Sequence, residues 1–319
     1  MDKLKKVGLT ALAGTFAATS AQALEMSVSG SAGFTFATAD NDETTGNRFS
    51  FGDSLTFSGS GETDQGWTVS ASIEADGASA NNYYDDRSLT VDMGDAGALS
   101  LKVSGAVGTP ASQTSSAYGS VANSLIAASG TGIHTADGLG SGTDGGTNVG
   151  YTNTIGGISV AVGYTAGATG GSDHAINLSY SDLMDGLTVS YGMSDLNSAQ
   201  ASGTEETQIS AKYSMGGVTV AWHDMSADDE AASGTDYDAR AWSVSFAVND
   251  DLTVSYDTST SDKTGTAVDE EVSSIQASYT MGSMKIKGHV SKADNAGFVS
   301  GSEDNAKAVA ISWLSLIHI

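Results

Sequence analysis

The stretch Trp242-Ser-Val-Ser-Phe-Ala-Val-Asn-Asp-Asp-Leu-Thr-Val-Ser-Tyr256 decides the fold. Before its Asn-Asp-Asp turn, large apolar residues alternate with serine or alanine, and after the turn Leu252, Val254 and Tyr256 continue the alternation. A period of two is that of a β-strand, in which successive side chains point to opposite faces. Two such strands joined by a short turn predict a β-hairpin.

The same alternation recurs from Leu24 to Trp313 in sixteen segments. The connections between these segments alternate in length, since tight turns such as Met215-Gly-Gly217 are followed by longer acidic loops. Short turns at one edge of the sheet and long loops at the other are expected of an outer-membrane barrel. The longer loops are predicted at Ala39–Asn47, Asp195–Glu205, Ser226–Asp236, Ser259–Asp269 and Lys292–Asn305.

A set of aromatic residues marks a repeat of one hairpin. The members are separated by 33, 33, 33 and 34 residues, and each closes a strand before the short-turn side: Tyr180, Tyr213, Phe246, Tyr279 and Trp313. Ankyrin repeats also have a 33-residue period, but they need helical spacing, whereas these segments have period two. A hairpin of two roughly ten-residue strands, a turn and a loop fits the period. We expect these rings to form a girdle at the membrane interface.

Composition excludes some functions. The 319 residues include 13 basic and 38 acidic side chains, a net charge of −25, so a nucleic-acid partner is not expected. No stretch after the N-terminal region approaches the roughly 20 apolar residues of a membrane helix. The chain has no cysteine and therefore no disulfides.

The N-terminus has the order of segments found in secretory signals. Lys3, Lys5 and Lys6 precede an apolar run at Val7–Ala18, and Ala21-Gln-Ala23 is a small-x-small cleavage pattern. The sequence therefore predicts a signal peptide at residues 1–23, cleaved on export, and a transmembrane barrel at residues 24–313.

A soluble β protein is the main alternative to a membrane barrel. It would be an acidic, exported surface protein with a structural or adhesive role, and its apolar face would point inward. Two patterns favour the membrane barrel. The non-apolar face is mostly Ser, Thr, Gly and Ala, and the hairpins run up and down without interruption, which lets the sheet close with no unpaired edge in lipid.

With these features the chain resembles the general diffusion porins of Gram-negative outer membranes, a family of trimeric 16-stranded barrels. The resemblance covers residues 24–313 and rests on the strand count, the turns at Gly61–Gly66 and Gly94–Gly97, and a long third loop. It implies an all-β, 16-stranded antiparallel up-and-down transmembrane β-barrel. It also implies a homotrimer in outer-membrane lipid that passes ions and small hydrophilic solutes by passive diffusion. A solute-specific channel of the same fold is a further alternative.

The third loop, residues 108–147, is the segment expected to set selectivity. In the resembling family this loop folds into the barrel and narrows it, and the alternative is a mobile surface loop. If it folds inward, Ile126, Ile133 and Leu139 would pack on the inner wall. The polar groups that it brings to the constriction are His134, Asp137 and Asp144.

Strand parity predicts which charged side chains face the lumen. Those on the inward parity are Arg48, Glu74, Asp76, Asp92, Lys102, Lys212, Asp257, Lys285 and Lys287, whereas Arg87, Arg240 and Lys307 share the apolar parity. The resemblance implies that Asp137 and Asp144 face Arg48 and Lys102. A role as ordinary solvated wall residues is the alternative for these charges. The acidic balance predicts a weak preference for cations, reduced by salt screening.

Several kinds of chemistry have no candidate residues. The histidines lie in separate segments, and the sequence contains neither a His-Glu-x-x-His motif nor a phosphate-binding loop, so we expect no enzyme and no cofactor. The stretch Gly140–Gly146 is vaguely like a calcium-binding repeat but occurs once, and calcium between acidic loops stays open. Leu314–Ile319 breaks the strand parity at Ser315 and is predicted to be a non-native tail, with a genuine apolar extension as the alternative.

Overall fold

The computed structural model describes residues 25–39, 48–76, 86–103, 147–166, 171–197, 203–229 and 234–318. These residues form sixteen antiparallel β-strands: β1 (Glu25–Ala39), β2 (Phe49–Glu62), β3 (Thr68–Asp76), β4 (Arg87–Asp92), β5 (Ala98–Val103), β6 (Thr147–Ile155), β7 (Ile158–Thr165), β8 (Asp173–Tyr180), β9 (Leu187–Leu196), β10 (Thr204–Met215), β11 (Val218–Asp229), β12 (Tyr237–Ala247), β13 (Leu252–Lys263), β14 (Glu270–Met281), β15 (Met284–Asp294) and β16 (Glu303–His318). Short 3₁₀ turns lie at Gly94–Ala96 and Ala296–Phe298.

The strands form one closed barrel in which each strand pairs with its neighbours in sequence. The first and last strands complete the circle, and Phe34 pairs with Ile311 at this seam. The predicted up-and-down barrel of sixteen strands is confirmed. Because closure pairs every edge, the backbone can satisfy its hydrogen bonds without water, as a span through lipid requires.

The two faces of the sheet differ sharply in polarity. Large apolar side chains cover the outside, where Phe51, Trp242 and Ile275 are 68%, 54% and 66% exposed. Small and polar side chains face the inside, where Ser243 and Gln276 are buried. This distribution is the reverse of a water-soluble barrel, whose apolar residues fill the core.

Tight turns join the strands at one end of the barrel. The β10–β11 and β14–β15 turns place Gly216 and Gly282 at positive φ, a conformation that costs glycine little. The β8–β9 turn is more crowded, because a Cβ at Gly186 (φ +78°) would lie 2.1 Å from the Ser214 carbonyl oxygen. We call this end the turn side and the opposite end the loop side.

Several strands extend beyond their predicted limits at the loop side. The β13–β14 connection was predicted at Ser259–Asp269, yet β13 continues to Lys263 and β14 begins at Glu270. At the turn side, β16 continues past Trp313 and its backbone pairs with β1 as far as His318. Among the described residues, no helix has the length and apolarity needed to cross a membrane.

Candidate functional site

The inner wall of the barrel is a polar, hydrogen-bonded surface. On β13 and β14, Gln276 donates a hydrogen bond to Asp257 across the strand pair. On β14 and β15, Ser291 donates to Ser274 over 2.9 Å and contacts His289 Nδ1 at 2.8 Å. Such a wall suits hydrated solutes, because it offers hydrogen-bonding groups in place of water.

The predicted wall charges lie on the inward parity but at different heights. Lys285 and Lys287 are two residues apart on β15, as Glu74 and Asp76 are on β3. Glu74 lies near the loop side of β3 and accepts a hydrogen bond from Ser54. Asp92 lies at the turn side, where it accepts the Gly94 N–H over 2.9 Å. Asp92 therefore also caps the β4–β5 turn.

The predicted partners for the third loop can be located only in part. Lys102 lies on β5 between Ser88 of β4 and Asn148 of β6, and Arg48 is an exposed residue just before β2. β2 and β5 are not neighbouring strands, because β3 and β4 lie between them. His134, Asp137 and Asp144 lie outside the described residues, so their expected position opposite the basic residues stays a prediction.

Sequence reasoning missed several inward charges. Glu206, Glu270 and Asp304 are buried on the inner wall at the loop-side ends of β10, β14 and β16. Ser194 donates to Glu206 over 2.8 Å. The alternation of Glu206, Gln208 and Ser210 does place Glu206 on the inward face. The residues on the outward face at this end of the strand, such as Glu205, are polar as well. The difference in polarity between the two faces, by which a strand is recognised in a sequence, is therefore lost.

An apolar patch interrupts the polar inner wall near the loop side. Met225 on β11 packs with Ala239 and Ala241 on β12, and Tyr237 lies against this cluster. All four residues share the inward parity of their strands. The patch was not predicted, because single apolar residues on the inward parity look like breaks in the alternation.

A recess lies at the turn-side end of the inner wall, between β4 and β8. It has a volume of about 530 Å³ and is lined largely by hydrogen-bonding groups, including Asp92, Thr152, Ser159, Asn177 and Ser179. Asn177 is only 4% exposed, and its Nδ2 has no hydrogen-bond partner among the described residues.

Aromatic residues lie on the outer face near both ends of the apolar band. At the turn side, Phe246, Tyr279 and Trp313 are exposed, and Tyr180 and Tyr213 are partly exposed. Trp313 is five residues from the end of β16, whereas Tyr180 is the last residue of β8. Toward the loop side, Trp222 pairs with Trp242 at a centroid distance of 6.2 Å. The girdle's place at the membrane interface stays a prediction.

Charged residues follow this tryptophan pair on the outer face at the loop side. Arg240 Nε lies 2.6 Å from Asp224 Oδ2, and both side chains are on the apolar parity, as predicted for Arg240. Among the described residues, no three His, Cys, Asp or Glu side chains are grouped to hold a metal ion.

Comparison with known proteins places this barrel in a family. The structure resembles the anion-selective porin from Comamonas acidovorans, with a TM-score of 0.66 and 14% identity over 92% of this chain and 99% of that porin. It also resembles outer-membrane expressed OmpT of Vibrio cholerae (TM-score 0.63, 14% identity, 93% and 99% coverage). A mutant porin of Rh. blastica is similar as well (TM-score 0.61, 15% identity, 92% and 100% coverage).

At these identities the structural likeness shows only the fold. No curated protein matches the sequence. The profile of the Gram-negative porin family, however, matches residues 8–313. Since that match spans nearly the whole chain, the protein belongs to the Gram-negative porin family.

Proposed function

We propose that the protein is a non-enzymatic outer-membrane channel that passes ions and small hydrophilic solutes by passive diffusion. The observation that carries the proposal is the inverted polarity of the closed barrel, apolar outside and hydrogen-bonding inside. Sixteen strands are enough to enclose an aqueous passage. The channel needs no cofactor for this activity, and calcium at its acidic loops is an untested addition.

The proposed channel prefers cations weakly. Inward acidic residues outnumber inward basic ones on the described strands, and the acids include Glu62, Glu74, Asp76, Asp92, Asp173, Glu206, Asp229, Asp257, Glu270 and Asp304. The inward lysines Lys102, Lys212, Lys263, Lys285 and Lys287 oppose them, which limits the preference. The third loop, with His134, Asp137 and Asp144, is proposed to narrow the passage and add negative charge.

We further propose a homotrimer, exported through a cleaved signal peptide. The outer face of β1 and β2 supports an interface between copies. It holds a cluster in which Phe49 stacks on Phe34 at 5.3 Å and lies 5.0 Å from Phe36. Asp53 also lies on this face, directly opposite Ala32 and next along the outer face from Phe51. A carboxylate within an apolar outer face costs free energy in lipid, and a protein partner would remove that cost.

A solute-specific channel of the same fold is the second candidate, and the turn-side recess favours it. The Asn177 amide and the surrounding hydroxyls could bind a neutral or cationic polar solute, because the lining includes Asp92 and Asp95 but no basic residue. Saturable transport of one solute would distinguish this candidate from general diffusion.

The test is a planar-bilayer recording of the mature chain from Leu24 under a KCl gradient. We expect stepwise openings in groups of three. We also expect a reversal potential whose sign shows that K⁺ passes more readily than Cl⁻. Clear anion selectivity would overturn the cation preference. Folded barrels that stay silent in KCl would favour the solute-specific candidate, and a protein that folds without detergent would contradict the membrane channel.

A further inference from the structure

We infer that the loop Asn295–Ser302, between β15 and β16, is a fixed second constriction at the loop-side mouth of the channel, and that Phe298 latches it in place. The inference rests on the proposed channel function. It goes beyond that function because it assigns part of the size limit to a loop other than the third.

The ring of Phe298 is held inside the barrel mouth. Phe298 is 7% exposed although it belongs to a surface loop. Its ring centroid lies 6.0 Å from that of Tyr237, and Lys263 Nζ lies 5.6 Å from the Phe298 centroid and 5.4 Å from the Tyr237 centroid. One ammonium group therefore contacts two rings, an arrangement stabilised by the negative faces of both π-systems.

The position of this ring requires a strained backbone conformation in the loop. Phe298 has φ +63° and Asn295 has φ +53°, and they are the only residues other than glycine with positive φ among those that the structure describes. A left-handed conformation is a true outlier for a bulky residue such as phenylalanine. Strain of this kind persists only where the surroundings enforce it, and it is often found at clamps.

Hydrogen bonds fasten the loop to the start of β14. The Gly297 N–H donates to Glu270 Oε2 over 2.5 Å, and Asn295 Nδ2 donates to the Asp269 carbonyl oxygen over 2.9 Å. Within the loop, Gly301 N–H donates to Asn295 Oδ1 over 3.0 Å. Asn295 and Gly297 are thus bonded to the start of β14, and the next residue, Phe298, is held by its ring, so the loop has little freedom to swing outward.

The strands that hold the latch show where the loop lies. Tyr237, Lys263 and Glu270 are on the inward parity of β12, β13 and β14, whereas the loop itself begins at the end of β15. To reach the inner face of β12 and β13, the loop must pass across the inner side of β14. It therefore covers this sector of the mouth, next to the apolar patch of Met225, Ala239 and Ala241.

The test compares Phe298→Ala with Phe298→Leu and a control, Val299→Ala. Leucine keeps an apolar side chain but removes the ring that faces Lys263, and Val299 is 60% exposed on the same loop. We expect F298A to increase single-channel conductance and to admit larger sugars in liposome swelling. F298L should have a smaller effect, and V299A should match the parent protein.

Amide hydrogen exchange on the folded protein in detergent gives a readout that does not depend on transport. Exchange at Gly297 and Gly301 should be roughly tenfold faster in F298A, because loss of the ring contacts removes a modest stabilisation of the closed loop, and a tenfold change corresponds to a small free energy. Equal exchange in F298A and the parent would overturn the latch. Faster exchange with unchanged conductance and sugar exclusion would overturn the constriction while leaving the latch.

The same readouts separate this inference from the proposed function. If the parent protein formed no channels at all, the proposed function would fail and the constriction with it. Channels in the parent that F298A leaves unaltered would contradict only the constriction.

Discussion

At Gly186 the surrounding backbone leaves no room for a side chain. A Cβ there would approach the Ser214 carbonyl oxygen to 2.1 Å, and the φ of +78° is unfavourable for any other residue. We expect Gly186→Ala to destabilise the barrel by about 1–3 kcal/mol from the backbone conformation, with the clash adding to this cost. Gly52→Ala is the control, since its Cβ would meet nothing within 4 Å. Urea unfolding in detergent micelles measures both, and equal stabilities would contradict the clash.

Substitution of Lys285 or Lys287 tests whether charges on the inner wall govern ion selectivity. A unit charge about 7 Å from a permeating ion in water changes the energy of that ion by about 0.6 kcal/mol, which is roughly a threefold change in its permeability. A lysine-to-glutamate change alters the wall charge by two units and acts in opposite directions on K⁺ and Cl⁻. We therefore expect Lys285→Glu or Lys287→Glu to raise the K⁺/Cl⁻ permeability ratio roughly tenfold or more at low salt, where screening is weak. Reversal potentials in a KCl gradient measure the ratio.

Lys307→Glu is the matched control for these lysine variants. Lys307 lies on the outer parity of β16, so the wall of the barrel separates it from the lumen. Its substitution should shift the reversal potential much less. A shift as large as that of the two inward lysines would mean that general surface charge, not wall position, sets selectivity.

At the residue scale, parity predicted which way charges point but not which charges meet. Lys285 and Lys307 face opposite sides of the sheet as expected from the alternation alone. The pairing of Asp257 with Gln276, or of Lys263 with Phe298, depends on strand register and loop path. Neither is encoded in a local pattern, because the partners lie on different strands.

At the scale of single elements, the outer face of β1 and β2 offers a test of the trimer. If a second copy covers Asp53, Asp53→Leu removes a polar contact between copies, and trimers should dissociate at a lower temperature. If the face met lipid instead, leucine would replace a costly charge and raise stability by roughly 1–2 kcal/mol. Gel migration after heating distinguishes these results. Glu271→Leu, an outward acid on β14, should leave trimer dissociation unchanged.

The extents of the strands show where sequence patterns lose information. Within the apolar band, alternation located every strand, and the tight turns at Met215–Gly217 and Met281–Ser283 were predicted correctly. Beyond the band, both faces of a strand are polar, as at Glu205 and Glu206. The hydrogen bonds continue there, but no contrast in hydrophobicity marks them. Loops were therefore predicted longer than they are.

At the scale of the whole molecule, the excess of acidic residues makes selectivity depend on ionic strength. The net charge of −25 is spread over both faces and the loops. Screening shortens the reach of each charge from about 10 Å at 0.1 M salt to about 3 Å at 1 M. We expect the K⁺/Cl⁻ permeability ratio to fall toward that of free solution as KCl rises over this range. A ratio unaffected by salt would indicate a narrow, close-contact filter.

The barrel itself was the part of the whole molecule that sequence reasoning predicted best. Sixteen alternating segments leave few ways to pair without exposing an edge, so closure follows from their number and order. The candidate site was predicted less well. A lumen is assembled from side chains of all sixteen strands, and features such as the Phe298 latch exist only after closure brings distant segments together.

The seam between β1 and β16 determines when the barrel can close during biogenesis. Because Phe34 pairs with Ile311, β1 keeps an open edge until β16 has been synthesised and can pair with it. An open edge is unstable in lipid and prone to aggregate in water, so the incompletely assembled sheet needs protection after export. Closure of the barrel must therefore follow synthesis and export of all sixteen strands. A change in the final strand would then block assembly even where every earlier hairpin is intact.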